Sequence, residues 1–142
     1  MKFALLLFLL VLGNTLKSQT IHKSSIDSLI RKAKNKKEKK VIRDSFDTQI
    51  KENLMGSWTT INCILHFKEN NSIRIENKDS TSYERKYFVK DGMVTIVEES
   101  EPWAKVNFKI KSFYYVRSIS PYKIEWNYPD RRIFSSAIRL TN

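Results

Sequence analysis

The sequence predicts a mainly β protein: an antiparallel up-and-down meander of about eight strands closing into a small barrel, preceded by an N-terminal basic amphipathic helix. Three observations predict it. After Gly56, short segments rich in Ile, Val, Thr, Tyr, Phe and Trp alternate with polar turns. Within those segments apolar and polar residues alternate: Val106, Phe108 and Ile110 against Lys105, Asn107 and Lys109, and Ile124 and Trp126 against Lys123, Glu125 and Asn127. Before Gly56 the apolar spacing is helical instead, with Ile42, Phe46, Ile50 and Leu54 at four-residue steps. Consecutive strands with one apolar and one wet face make a meander, and closing it hides the exposed edges.

Residues 1–18 read as an export signal. Lys2 supplies a positive start, Ala4 to Leu12 form an unbroken apolar run, and Gly13 and Asn14 end it before small Ser18, the expected cleavage position. That run is far shorter than the roughly 20 residues a spanning helix needs. The expectation is therefore an exported protein, periplasmic or secreted, with no transmembrane segment in the mature chain. No cysteine directly follows the run to carry a lipid, and Cys63, the one cysteine, cannot form an internal disulfide. It is expected to be a buried thiol.

Residues 19–53 form the basic helical segment. Ser24 followed by Asp27 resembles a capping box, and Ile26, Leu29, Ile30 and Ala33 share one face. Between them and Ile42 runs a stretch without apolar residues, containing Lys34, Lys36, Lys37, Lys39 and Lys40. One long helix exposed in its middle fits, as do two helices with a break; no Pro or Gly forces the break, and a helix whose second half docks on the rest is favoured. The formal net charge is +11, and residues 19–52 hold ten Lys and Arg against five acids. The lysine run is by default a solvated face; its functional alternative is adhesion to an anionic envelope surface or to nucleic acid through charge. Export speaks against nucleic acid, as does the absence of aromatic residues among these lysines.

Residues 54–142 form the barrel domain, with strands expected near 57–67, 72–77, 81–89, 93–98, 104–111, 112–119, 122–128 and 132–140. Turns fall at Glu69-Asn70-Asn71, Asn77-Lys78-Asp79, Asp91-Gly92, Ser120-Pro121 and Pro129-Asp130. Asp91-Gly92 suits a type I′ hairpin turn, in which both central residues need positive φ. No turn residue marks the boundary at 111/112. In the last strand Phe134, Ile138 and Leu140 are expected to face inward, opposite Ser135 and Arg139.

Leu54-Met55-Gly56-Ser57-Trp58, at the junction of helix and first strand, resembles the Gly-x-Trp opening of the lipocalin and wider calycin families. Leu65-His66-Phe67 and Tyr115-Val116-Arg117-Ser118-Ile119-Ser120 before Tyr122-Lys123-Ile124 are similar to that group's rhythm. The resemblance spans residues 54–142. It implies a lipocalin-like barrel closed at one end by Gly56 and Trp58, with Arg139 packed against the Trp58 ring. Ile61, Cys63, Leu65 and Phe67 have the opposite parity to Trp58, so a bulge near Thr59 or Thr60 is expected. The chain is short for eight strands, leaving an interior filled by side chains or holding one small ligand.

Little else points to chemistry. The candidate metal ligands do not converge: on a strand Cys63 and His66 face opposite ways. Glu98, Glu99 and Glu101 read as an acidic connecting loop without burial, so no catalytic residues, metal or cofactor are assigned. The aromatic excess is more informative, and Tyr87, Phe108, Tyr115 and Trp126 are the candidate ligand-lining residues. The expected function is a non-enzymatic lipocalin-like binding module for a small apolar or amphipathic ligand. The alternative is a cell-envelope interaction protein with a filled barrel, whose basic helix and surface aromatics hold a protein partner or an anionic surface.

Overall fold

The computed structural model describes residues 19–99, 109–128 and 131–141, and of Glu99, Ile110 and residues 131–134 only the backbone. The 1–18 segment, Phe108 and its neighbours in the expected 104–111 strand, and the Pro129-Asp130 turn lie outside the described residues. In chain order the elements are β1 (Ile21–His22), α1 (Lys23–Lys32), α2 (Lys36–Leu54), β2 (Gly56–Thr59), β3 (Cys63–Phe67), β4 (Ser72–Asn77), β5 (Ser82–Lys90), β6 (Met93–Glu99), β7 (Lys109–Ile119), β8 (Lys123–Tyr128) and β9 (Arg131–Arg139). Strands β2 to β9 each pair antiparallel with the next, and β9 returns to β2 through Trp58↔Arg139 and Thr59↔Ile138. The result is a closed eight-stranded antiparallel barrel with a helical segment before it. The two residues of β1 add to the end of β7 beyond the last β6 partner, Tyr115.

The strand number agrees with the sequence, but two boundaries move in compensating ways. The expected 57–67 strand is a hairpin: Thr60 accepts from the Asn62 and Cys63 amides through its hydroxyl, turning the chain between β2 and β3. Trp58 pairs with Leu65, so both face inward and no bulge is needed; Ile61 sits on the turn, 79 % exposed. Conversely, no break occurs at 111/112, and β7 runs straight through it. A bulge does occur, between Val116 and Ser118.

Strand β9 reverses the expected parity. Ala137 is fully buried opposite Ile124, whereas Ile138 and Leu140 are exposed and Arg139 turns inward. The reason is volume. At the sealed end Ala137 is paired with Ile124 and Arg139 with Trp58, so a small side chain and a guanidinium fit where Ile and Leu would overfill.

The helices close one end of the barrel. Ile42, Phe46, Ile50 and Leu54 are the buried residues of α2, and the last three join the core, an apolar gain of about 2 kcal/mol each before entropy is counted. The Asp47 carboxylate anchors the helix to the β5–β6 turn, accepting from the Asp91 amide at 2.8 Å and the Gly92 amide at 2.7 Å. Both turn residues have positive φ, 53° and 74°, as the type I′ signal requires. A Cβ on Gly92 would come within 2.9 Å of the Phe46 ring, so this glycine also allows the helix to sit down.

The helical segment is broken, not continuous, and the break lies at the start of the lysine run. Asn35 N-caps α2: its Oδ1 accepts from the Glu38 amide, while Glu38 Oε2 accepts from the Lys34 amide, a reciprocal box that a Pro- and Gly-free sequence hides. Lys34 precedes the helix, and Lys36, Lys37, Lys39 and Lys40 form its first turns. The Ser24–Asp27 box is absent; Asp27 instead pairs with Lys23, and no α1 residue is fully buried. Among the described residues no helix is long and apolar enough to cross a membrane.

Candidate functional site

The two ends of the barrel differ in how their polar groups are partnered. At the helix-capped end the Trp58 indole and the Arg139 guanidinium both find carbonyl acceptors. The Trp58 indole N–H donates to the Leu54 carbonyl at 2.7 Å. The Arg139 guanidinium stands over the Trp58 ring, 4.3 Å from its centroid, and donates to the carbonyls of Asn53, Met55 and Pro121. Those first two carbonyls end α2, where the helix dipole favours a cation. Burial pushes the guanidinium pKa down, yet three carbonyls and a ring face hold the charged form. Gly56, Trp58 and Arg139 therefore meet at one place: a Cβ on Gly56 would lie 2.8 Å from Arg139 Nη1.

The opposite end is open. Between the β2–β3 turn and the mouth ends of β5, β7 and β8 lies a cavity of about 190 Å³. Its floor is apolar: Leu65 and Phe67 of β3, Ile75 of β4, Val94 and Ile96 of β6. Its upper wall is aromatic: Tyr83, Tyr114, Trp126 and Tyr128. Tyr114 meets Trp126 and Tyr128 edge-on, with centroids 5.8 and 5.1 Å away. Burial, with the neighbouring Tyr128 as a second cause, pushes the Tyr114 phenol pKa up against the opposing hydrogen bond with Ser112. The hydroxyl stays neutral.

Polar groups at this end are only partly satisfied. Trp126 is 5 % exposed and lines the cavity, and its indole N–H has no acceptor among the described residues. Arg85, on the inward parity of β5, pairs with Glu98 at 2.8 Å and lies over the Tyr83 ring at 4.6 Å, while its Nε–H has no partner. Glu98, read from sequence as part of an acidic loop, belongs to β6 and anchors this arginine. The Cys63 thiol also lines the cavity, half-buried and 3.3 Å from the Thr60 hydroxyl.

Of the four residues expected to line a ligand site, Trp126 lines this cavity. Tyr87 faces inward but is 2 % exposed, edge-on to Phe67 at 5.1 Å, and belongs to the core. Tyr115 points outward: it is paired with Met93 on the barrel's exterior and 40 % exposed. Its neighbour Tyr114 takes the inward position, because β7 keeps one parity from Lys109 to Val116, and Val116 is fully buried. Phe108 lies outside the described residues. Tyr83, Tyr114 and Tyr128 were visible in the sequence as aromatic residues, but only strand pairing tells which side they face.

His66 faces outward, its Nδ1 2.8 Å from the Ser57 hydroxyl, away from Cys63. No group of His, Cys, Asp and Glu that could hold a metal occurs among the described residues. A second, wider groove of about 550 Å³ runs between the helices and β1, with Ile21, Leu29 and Phe46 in its wall, beside Gln19 where the described chain starts. No family model, no curated protein and no solved structure matches the chain.

Proposed function

We propose that the protein is a non-enzymatic, lipocalin-like binding module that holds one small apolar or amphipathic ligand in the barrel mouth. In this reading residues 1–18 export it, and it works in the periplasm or outside the cell. The observation that carries the reading is the cavity itself, an apolar floor under an aromatic wall with an indole N–H left without an acceptor. A buried donor without a partner costs about 1–3 kcal/mol, and a ligand acceptor would recover it once the wall shifts enough to expose the N–H. The Gly-x-Trp junction sealed by Arg139 supports the lipocalin-like part of the reading.

Volume limits the ligand. About 190 Å³ is below the roughly 300–1,000 Å³ of ordinary ligand pockets. It is nearer the ~150 Å³ apolar cavity that accepts benzene. The fitting ligand is one ring or a short chain carrying a single hydrogen-bond acceptor. Native mass spectrometry of the protein purified from its own host tests for such a passenger, and calorimetry with p-cresol and phenylethanol tests the class. The cavity-filling variant Ser135→Leu is expected to abolish binding while keeping the fold. Absence of a co-purifying molecule together with no heat from either compound would sink the proposal, as would undiminished binding by the filled variant.

A further inference from the structure

The outer wall opposite the cavity lining carries a second feature. On β5, β6 and β7 three successive outward cross-strand rows are Lys86–Val97–Lys111, Phe88–Thr95–Phe113 and Lys90–Met93–Tyr115, with Glu84 of β5 and the Glu99–Lys109 pair in the next row along. Phe88, Phe113 and Tyr115 are 42, 37 and 40 % exposed, and all three lysines are exposed. Thr95 lies fully buried between the two phenylalanines, its hydroxyl without a partner among the described residues. Five apolar side chains therefore stand together on solvent, with lysines at three corners and no carboxylate in any of the three rows. Solvated barrel walls place polar residues here, so the patch runs against the alternation of the fold.

We propose that this wall is a docking surface for an anionic lipid bilayer. Three physical points select that occupant. The barrel is closed, so a partner strand cannot add to these three strands by backbone pairing. A second copy of the chain, docked by two-fold symmetry, would set the lysine corners near one another. As the outside of a closed barrel, the wall is convex. Aromatic rings at the centre and lysines at the rim instead match the headgroup layer, where rings sit at the interface and lysine stems extend toward phosphate. The net charge of residues 19–142, +11 less Lys2 and Lys17 and so +9, draws the mature protein to the same surface over longer range.

The test is sedimentation of the full mature protein with vesicles of equal parts phosphatidylglycerol and phosphatidylcholine, against vesicles of phosphatidylcholine alone. Binding is expected to the first and only weakly to the second, and to fall with salt. Each lysine near an anionic surface contributes about five-fold, so Lys86→Gln/Lys90→Gln/Lys111→Gln is expected to weaken partitioning roughly a hundred-fold. Phe88→Ser/Tyr115→Ser is expected to weaken it too, with unchanged circular dichroism showing that the barrel survives. The helix variant Lys36→Gln/Lys37→Gln/Lys39→Gln/Lys40→Gln should lose less than the wall variant. Loss in the helix variant alone would overturn the proposal, as would no vesicle binding by the wild type or binding solely to an acidic protein. None of these outcomes depends on whether the mouth holds a ligand.

Discussion

Replacing Arg139 with Lys tests how the closed end is sealed. The side chain keeps its charge and most of its length, so a purely Coulombic role would survive. What it loses is the planar fork: the guanidinium donates to three carbonyls, of Asn53, Met55 and Pro121, while lying flat over Trp58. An ammonium reaches one of them at a time from over the ring. Hydrogen bonds to a charged donor contribute about 1.5–3 kcal/mol each when buried. Arg139 is only half-buried, so about 1 kcal/mol for each of two lost bonds is the sounder figure. Weaker contact with the indole face adds about 0.5–1 kcal/mol. The expected loss is about 2–3 kcal/mol, a fall in Tm of about 8–12 °C for a domain of this size. Chemical denaturation followed by Trp fluorescence measures it, and a cycle with Trp58→Phe isolates the ring contact. A Lys variant within about 0.5 kcal/mol of wild type would refute the argument that the fork, not the charge, holds helix to barrel.

Trp→Phe at Trp58 and Trp126, the two buried indoles among the described residues, should give unequal results. At Trp58 it strands the Leu54 carbonyl and is expected to cost about 2–3 kcal/mol. At Trp126 it removes an unpartnered donor and should leave stability within about 1 kcal/mol of wild type; equal losses at both sites would contradict this. Gly56→Ala forces a φ of 109° on a residue with a Cβ and drives it against Arg139, so thermal melts should show a loss larger than Gly→Ala at an ordinary turn, and a neutral result would discredit the described junction. The pH profile has a sign on each side. Burial raises the Tyr114 and Tyr87 pKa values, so their contribution is full below the unfolded tyrosine value of about 10 and is lost as pH rises above it. Hydrogen bonds from Ser72 and Lys68 hold the Glu84 pKa down, and those from Lys123 and Ser118 do the same at Glu125. Their contribution is present above the usual glutamate range and is lost on acidification. Unfolding by urea across pH should show both falls, and Glu125→Gln should flatten the acid one; an unchanged acid limb in that variant would count against the assignment.

Period was legible in the sequence; parity was not. Four-residue steps from Ile42 to Leu54 identified the docking face of α2, and Asp91-Gly92 identified a turn whose dihedral angles match. The alternation in β8 put Ile124 and Trp126 inside. Where a strand is apolar on both faces, alternation cannot choose. Phe113-Tyr114-Tyr115-Val116 offers an aromatic or aliphatic side chain at each position, and only the pairing of Val94 with Tyr114 and of Thr95 with Phe113 decides. In β9 the more apolar parity was the wrong one, because the interior at the sealed end is already filled by the Trp58 indole. The missed β2–β3 turn has a similar cause: Thr60-Ile61-Asn62 contains no Gly or Pro, and a threonine hydroxyl supplies the acceptor that a turn glycine would have made unnecessary.

The same ambiguity explains why the candidate site divides between the inside and the outside of one wall. A solvated strand needs one apolar face, yet β5 to β7 carry two. Inward, Tyr114 and Ile96 line the mouth; outward, Phe88, Phe113 and Tyr115 face solvent. Folding accounts for the first set, since the barrel must be filled. It does not account for the second, because an outward phenylalanine adds little to a closed barrel and raises the risk of association. Nor does folding account for the unpartnered Trp126 N–H, when the same residue type at the sealed end is fully bonded. The surplus over what stability requires therefore lies in two places: an unmet donor at the mouth and an apolar wall rimmed by lysine. Removing either should leave the fold standing, which is how a binding feature differs from a core one.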